Sequence, residues 1–159
     1  MSLILSPSSY DVKPIIAALA SLVSVNMTPW LQGTPTLNYV YSALPKMFSE
    51  SPPFMFFEYM GGTNVRDNYG DYPTSHRVWK VNAVAVQCLL SEQDTADAMT
   101  QTFVGAFYEL IRQSHSLGVM GAHGEATVVS DQVMPFPGAT PSQSFLCNVF
   151  SVEIEDFIN

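Results

Sequence analysis

Few residues in this chain combine the type and the spacing that bond chemistry requires. His115 and His123, with Glu125 close behind, come nearest to a metal-ligand set. They flank Gly118 and Gly121, and neither a closely spaced cysteine pair nor a His-Glu-x-x-His helix accompanies them, so a helix end and a turn explain them better than a metal centre. Gly61-Gly62 would cradle phosphate only if Lys-Ser or Lys-Thr followed and a helix opened there; Thr63-Asn64 follow instead. No Gly-x-Ser-x-Gly elbow occurs, and although Ser114, His115 and Asp131 supply the groups of a hydrolytic triad, no spacing singles them out. The chain is therefore read as a non-enzyme, with no catalytic, cofactor-binding or metal residue assigned.

The remaining polar residues are better placed for contact than for reaction. A stretch TNVRDNYGDYPTS follows Gly61-Gly62 and holds Arg66, Asp67, Tyr69, Asp71 and Tyr72. Tyrosine and arginine are favoured at interfaces, so this stretch is expected to be an inter-subunit contact arm, with a mobile solvent loop as the alternative. Phe54, Phe56, Phe57 and Tyr59, in FMFFEYM, could stack bases, but no basic residues are interleaved with them, and core packing accounts for them better. Cys88 and Cys147 both fall in expected strands, as buried reduced thiols or, less simply, as a cross-strand disulfide.

Charge is scarce and unevenly placed. Only 13% of residues are charged, against roughly a quarter in ordinary soluble chains, which fits a surface partly covered by partners. Up to Leu90 the acids Asp11, Glu50, Glu58, Asp67 and Asp71 are balanced by Lys13, Lys46, Arg66, Arg77 and Lys80. From Ser91 onward Arg112 alone opposes the acids, so that part carries the whole formal charge of −8. Glu125, Asp131, Glu153 and Glu155 belong to it. Such a body is a poor grip for nucleic acid, whose affinity comes mainly from Lys and Arg releasing counterions, but it could surround nucleic acid without holding it. The amino-terminal MSLILSPSSYDVK lacks the basic region and long apolar core of a signal peptide, and no run reaches the roughly 18 apolar residues of a membrane span. A soluble, cytosolic protein is expected.

The elements that must position these residues centre on the segment HRVWKVNAVAVQCLL. Its alternation predicts a strand whose wetter end is near His76 and whose buried end is near Leu90. A turn at Ser91-Glu92-Gln93 then feeds a helix. Ser91 or Asp94 can cap it, and Ala96, Met99, Phe103, Ala106, Phe107, Leu110 and Ile111 keep helical spacing up to a stop at Leu117-Gly118. A first helix is predicted over 11–26, with Pro14 tolerable in its first turn. The Pro-rich connector over 27–53 has at most a short extended piece near 37–41, and its length argues that it lies against the sheet's edge or a neighbouring subunit. Further strands are predicted over 54–60, 125–134 and 143–156, and the first pairs with the central strand as a hairpin with a long loop over 61–75. The expected fold is a single α+β domain: an antiparallel sheet or small sandwich of about four to five strands with two helices packed on one side, preceded by a leader over 1–10.

Element order and texture together resemble the tail terminator (tail completion) proteins of long-tailed bacteriophages. The resemblance rests on the leading helix, the connector bearing NYVYSALP, the aromatic strand, the HRVWKVNAVAVQCLL strand, the EQDTADAMTQTFVGAFYELIRQSHSLG helix and the closing strand SFLCNVFSVEIEDF. It covers most of the chain, over 11–157, without a diagnostic motif, so no family-defining residue carries over. It implies a structural virion protein: a hexameric ring docked on the last ring of the tail tube, ending tube growth and joining the tail to the head connector or neck protein. By the same resemblance DNA would pass through its channel without specific binding, Glu125, Asp131, Glu153 and Glu155 would face that channel, and no membrane would be involved. Assembly would take place in the host cytoplasm, at the head-proximal end of the tail. Neck or head-tail joining proteins and tube-like proteins share parts of this plan, and a small cytosolic enzyme or ligand-binding α+β domain is the more distant alternative.

Overall fold

In the computed structural model, residues 12–30, 37–45, 52–69, 72–89, 93–114, 125–137 and 144–158 are described. Two helices, α1 (Lys13–Trp30) and α2 (Gln93–Gln113), accompany β1 (Tyr39–Tyr41), β2 (Phe54–Tyr69), β3 (Tyr72–Leu89), β4 (Glu125–Pro137) and β5 (Ser144–Ile158). The strands form one five-stranded sheet in the order β1-β2-β3-β5-β4. The fold is α+β with the helices on one side, as expected. The sheet is mixed, however, because β1 runs parallel to β2 while every other pair is antiparallel. The connector enters along the sheet's edge in β2's own direction and is tied there by Asn38, whose main-chain N–H donates to the carbonyl of Pro53 at 2.7 Å.

Alternation along the strands separates two apolar clusters. Met55 and Phe57 of β2, Trp79, Val81, Ala83 and Ala85 of β3, and Phe150, Val152 and Ile154 of β5 meet the helices. From α1 come Ile15, Leu19, Val23 and Met27, a repeat of four that keeps one face of a helix on the sheet. From α2 come Phe103, Phe107, Leu110 and Ile111, with the Phe107 ring 4.3 Å from that of Phe150. On the second face, Phe54, Phe56, Val84, Val86, Cys147 and Val149 form a smaller cluster with Tyr41 and Phe145 packed against it. The small Ala83 and Ala85 let the helices approach β3 closely, while bulk comes from the aromatic rings on either side.

The largest departure from expectation lies over 61–75. The long loop is instead mostly ladder: β2 and β3 stay in antiparallel register from Gly61↔Lys80 to Tyr69↔Tyr72. The stretch is polar on both faces, so it shows none of the alternation by which half-buried strands are recognised. The cross-strand hydrogen bonds supply what its side chains do not.

Two bulges interrupt the outer strands. One separates Tyr59 from Gly61 opposite Val81 and Lys80, leaving Met60 as the extra residue. The other separates Val128 from Ser130 opposite Val152 and Ser151, leaving Val129. Because Val81 pairs with Val152, both bulges adjoin the same cross-strand row, one on each side of it. A third lies between Val86 and Cys88, beside Leu146. β4 and β5 also run further than expected, to Pro137 and Ile158, and α2 ends at Gln113. Ser91, Glu92 and the Leu117-Gly118 stop lie outside the described residues, and Asp94 falls within α2 instead of capping it.

Candidate functional site

From the row of Glu58 onward the second face of the sheet is largely polar, and register places its residues in successive rows. Glu58, Asn82, Ser151 and Ser130 form one row; Lys80, Glu153 and Thr127 the next; Val78, Glu155 and Glu125 the third. Three of the four expected channel-facing acids, Glu125, Glu153 and Glu155, thus come together. Glu125 and Glu155 are exposed and directly opposed across the β4–β5 ladder. Like charges in that position weaken a strand pair, so this end of the sheet is negative at some expense of its own stability. Lys80 is the one described cation in these rows.

Asp131 is elsewhere. The bulge at Val129 shifts the phase of β4, so Asp131 sits opposite Phe150 on the helix side, where the Tyr108 hydroxyl donates to its carboxylate at 2.8 Å. That hydrogen bond and the adjacent negative charge raise the Tyr108 pKa, because ionised tyrosine could no longer donate and would face a carboxylate. Grouping Asp131 with the other three acids is corrected accordingly.

Of the expected contact residues, Arg66, Asp67, Tyr69 and Tyr72 lie on the β2–β3 ladder, with main-chain partners Ser75, Thr74 and, for the two tyrosines, each other. Asp71 lies outside the described residues, as do His115 and His123. Phe54, Phe56 and Phe57 are buried, which leaves no stacking platform there; Tyr59, at the end of that run, is exposed. Among the described residues no group of His, Cys, Asp or Glu could hold a metal, and no helix is long and apolar enough to cross a membrane. Cys88 and Cys147 are buried and form no disulfide. Burial, reinforced by the neighbouring Cys88, pushes the Cys147 thiol up to about 12, so it stays protonated and unreactive at neutral pH.

One constellation has no counterpart among the sequence expectations. At the base of the extended ladder, the Arg77 guanidinium lies 4.1 Å from the Trp79 ring centroid, donates to Asn64 Oδ1 at 2.8 Å and to the Tyr59 hydroxyl at 3.1 Å. Gly62 lies beneath it: a Cβ there would come within 2.9 Å of both Arg77 Nη2 and the Val78 carbonyl oxygen. Gly61 takes a φ of 110°, which side-chain-bearing residues rarely adopt. Gly61-Gly62 therefore serves geometry rather than phosphate. The signal for it was present as Arg77 and Trp79 two apart on an alternating strand, but their partners depend on a bulge that no spacing reveals.

No protein-family model matches the chain, and no curated protein matches it.

The arrangement can do two things chemically. Among the described residues it presents a largely negative sheet face, and it braces a long two-stranded ladder at its root. Neither provides a nucleophile with an adjacent base.

Proposed function

We propose that this chain is a ring-forming structural protein of a long-tailed phage, a tail terminator that ends tube growth and links the tail to the head connector. The face-to-face carboxylates of Glu125 and Glu155, with Glu153 one row away and Glu58 two, carry the reading. A carboxylate pair that costs the sheet stability is reasonable where a negative surface has work to do, and a negative channel lining keeps DNA from adhering as it passes. The ladder over 60–69 and 72–80 would reach a neighbouring subunit or the tube, and identical head-to-tail contacts close into a ring by ordinary symmetry. In this reading Arg66, Asp67, Tyr69, Asp71 and Tyr72 form the contact surface and a homo-hexamer is the working assembly.

The test is to add purified protein to polymerising tail tube protein and measure tube length and capping by electron microscopy. Tubes that stop growing with added protein at one end are expected. Unchanged length and bare ends would remove the proposal.

A further inference from the structure

Among the described residues three polar side chains are buried, Asn148, Gln87 and Thr100, with exposures of 0, 5 and 6%. Asn148 Nδ2 and Oδ1, Gln87 Nε2 and Thr100 Oγ1 are shut away from solvent, and none has a hydrogen-bond partner among the described residues. A buried polar group left unmet is costly, and native interiors almost always provide it with a partner. Asn148 has both of its polar atoms in this condition, which makes it the centre of the set.

Topology brings the three together. Asn148 has the parity of Phe150, Val152 and Ile154 on β5 and stands opposite Ala85, so it belongs to the face that carries the helices. Gln87 is the extra residue of the bulge between Val86 and Cys88, two positions beyond Ala85 and diagonal to Asn148 across the β3–β5 ladder. Diagonal neighbours stand about 7–8 Å apart, within reach of a long side chain. Thr100 comes from above. Tyr108 of α2 meets Asp131, and Ile111 and Val128 line one groove, so α2 runs against β4 and hence along β5. The Phe103 and Phe107 rings lie 6.2 and 4.3 Å from that of Phe150. One turn back from Phe103 along the helix is Thr100, and two residues back from Phe150 along the strand is Asn148. Those steps are about 5 and 7 Å, so the two residues stay level.

The chemistry of the set restricts what can join it. Two amide nitrogens donate, the Asn148 carbonyl accepts, and the Thr100 hydroxyl does either. An anion would face the carbonyl oxygen and a cation the amide N–H groups, and no charged residue is buried among those described. A neutral molecule that both donates and accepts answers all four atoms, and water is the smallest.

We infer that the first half of α2 is seated on the sheet through internal water held by Asn148, Gln87 and Thr100. A buried water makes about three hydrogen bonds to groups that would otherwise go unmet, so roughly one or two molecules serve the four atoms. One accepts from Asn148 Nδ2 and Gln87 Nε2 and donates to Thr100 Oγ1; a second reaches Asn148 Oδ1. α2 is thereby held in two ways, by ring packing at Phe107 and through water at Thr100. The inference does not depend on the phage reading.

Water-to-protein nuclear Overhauser effects locate long-lived internal water, and magnetic relaxation dispersion of the water oxygen counts it. Effects from such a water to the Asn148 and Gln87 side-chain amides are expected. The triple change Gln87→Leu, Thr100→Val and Asn148→Leu should lower the count. Thr100→Val alone should lower the melting temperature by roughly 2–6 °C, since it takes one bond from the water. The triple variant, with no polar group left to satisfy, should be more stable than the sum of the three single losses predicts. Gly105→Ala is the control on the same helix: an added Cβ there meets nothing within 4 Å, and the water signal should not change. No such effects in the unmodified protein, direct bonds from these amides to other protein groups, or single losses that simply add would overturn the inference. So would a melting temperature raised by Asn148→Leu alone, the result expected of an amide that nothing satisfies. The measurement on the unmodified protein decides the matter even where the triple variant does not fold.

Discussion

Arg77 shows how one side chain can join a packed core to a wet extension. Its guanidinium covers Trp79 on the core side and ties Tyr59 and Asn64 on β2, and Gly62 supplies the space. Gly62→Ala should therefore destabilise by about 1–3 kcal/mol, the usual cost of forcing atoms into an occupied space, because the Val78 carbonyl cannot swing aside as a flexible side chain would. Thermal or denaturant unfolding measures this, and the loss should far exceed that of Gly105→Ala. A different signature belongs to Glu109, whose hydrogen bonds from Arg112 and Gln113 hold its carboxyl at about 2, below the ordinary 4.5. The folded pKa is depressed, so the favourable interaction is complete above pH 4.5 and disappears as pH falls through about 2. Glu109→Gln should differ slightly from the parent protein above pH 4.5 and converge on it near pH 2, with only a small effect because the pair is exposed. A carboxyl-carbon NMR titration gives the pKa directly.

At the scale of elements, the β2–β3 ladder separates what is written in hydrophobic pattern from what is not. β3 over 78–88, α1 and the apolar face of α2 were legible because each buries one side and exposes the other, and the period shows through the residue types. The ladder over 61–75 carries Thr63, Asn64 and Val65, all exposed, and has no such contrast; its pairing lives in main-chain hydrogen bonds. The grouping of the acids was partly legible for the same reason. Glu153 and Glu155 share parity on one strand, whereas the displacement of Asp131 depends on one extra residue at Val129. Removing the paired residues 66–75 and closing Val65 onto His76 with an Asn-Gly turn preserves the remaining register. That variant should keep a cooperative thermal transition while ring or tube assembly, followed by sedimentation, is lost. Normal assembly would deny the ladder any contact role.

At the scale of the whole molecule, the helices cover one face of the sheet while the second face changes from apolar to acidic along its length. The apolar part, around Phe54 and Cys147, holds the strands together; the acidic part, from Glu58 to Glu125, has little packing to offer. Glu155→Gln should accordingly raise the melting temperature at low salt by relieving repulsion from Glu125, and the gain should vanish at high ionic strength. If the face lines a channel, the double change Glu153→Lys and Glu155→Lys should slow DNA delivery in an infection assay, while Glu155→Gln alone should leave delivery nearly unaltered. The paired bulges at Met60 and Val129 act as frame markers for this polarity. Each shifts the alternation of an outer strand by one position, beside the same row and on opposite sides of the central β3–β5 pair. Deleting Met60 alone would leave Tyr59 opposite Val81 and Gly61 opposite Lys80 as an unbroken ladder, so Asn64 would stay opposite Arg77. A single-codon deletion there should therefore be tolerated, whereas deletion of Thr63 alone, inside the regular ladder, would set Asn64 opposite Val78 and away from Arg77, an ordering that a deletion scan scored by folding yield would reveal.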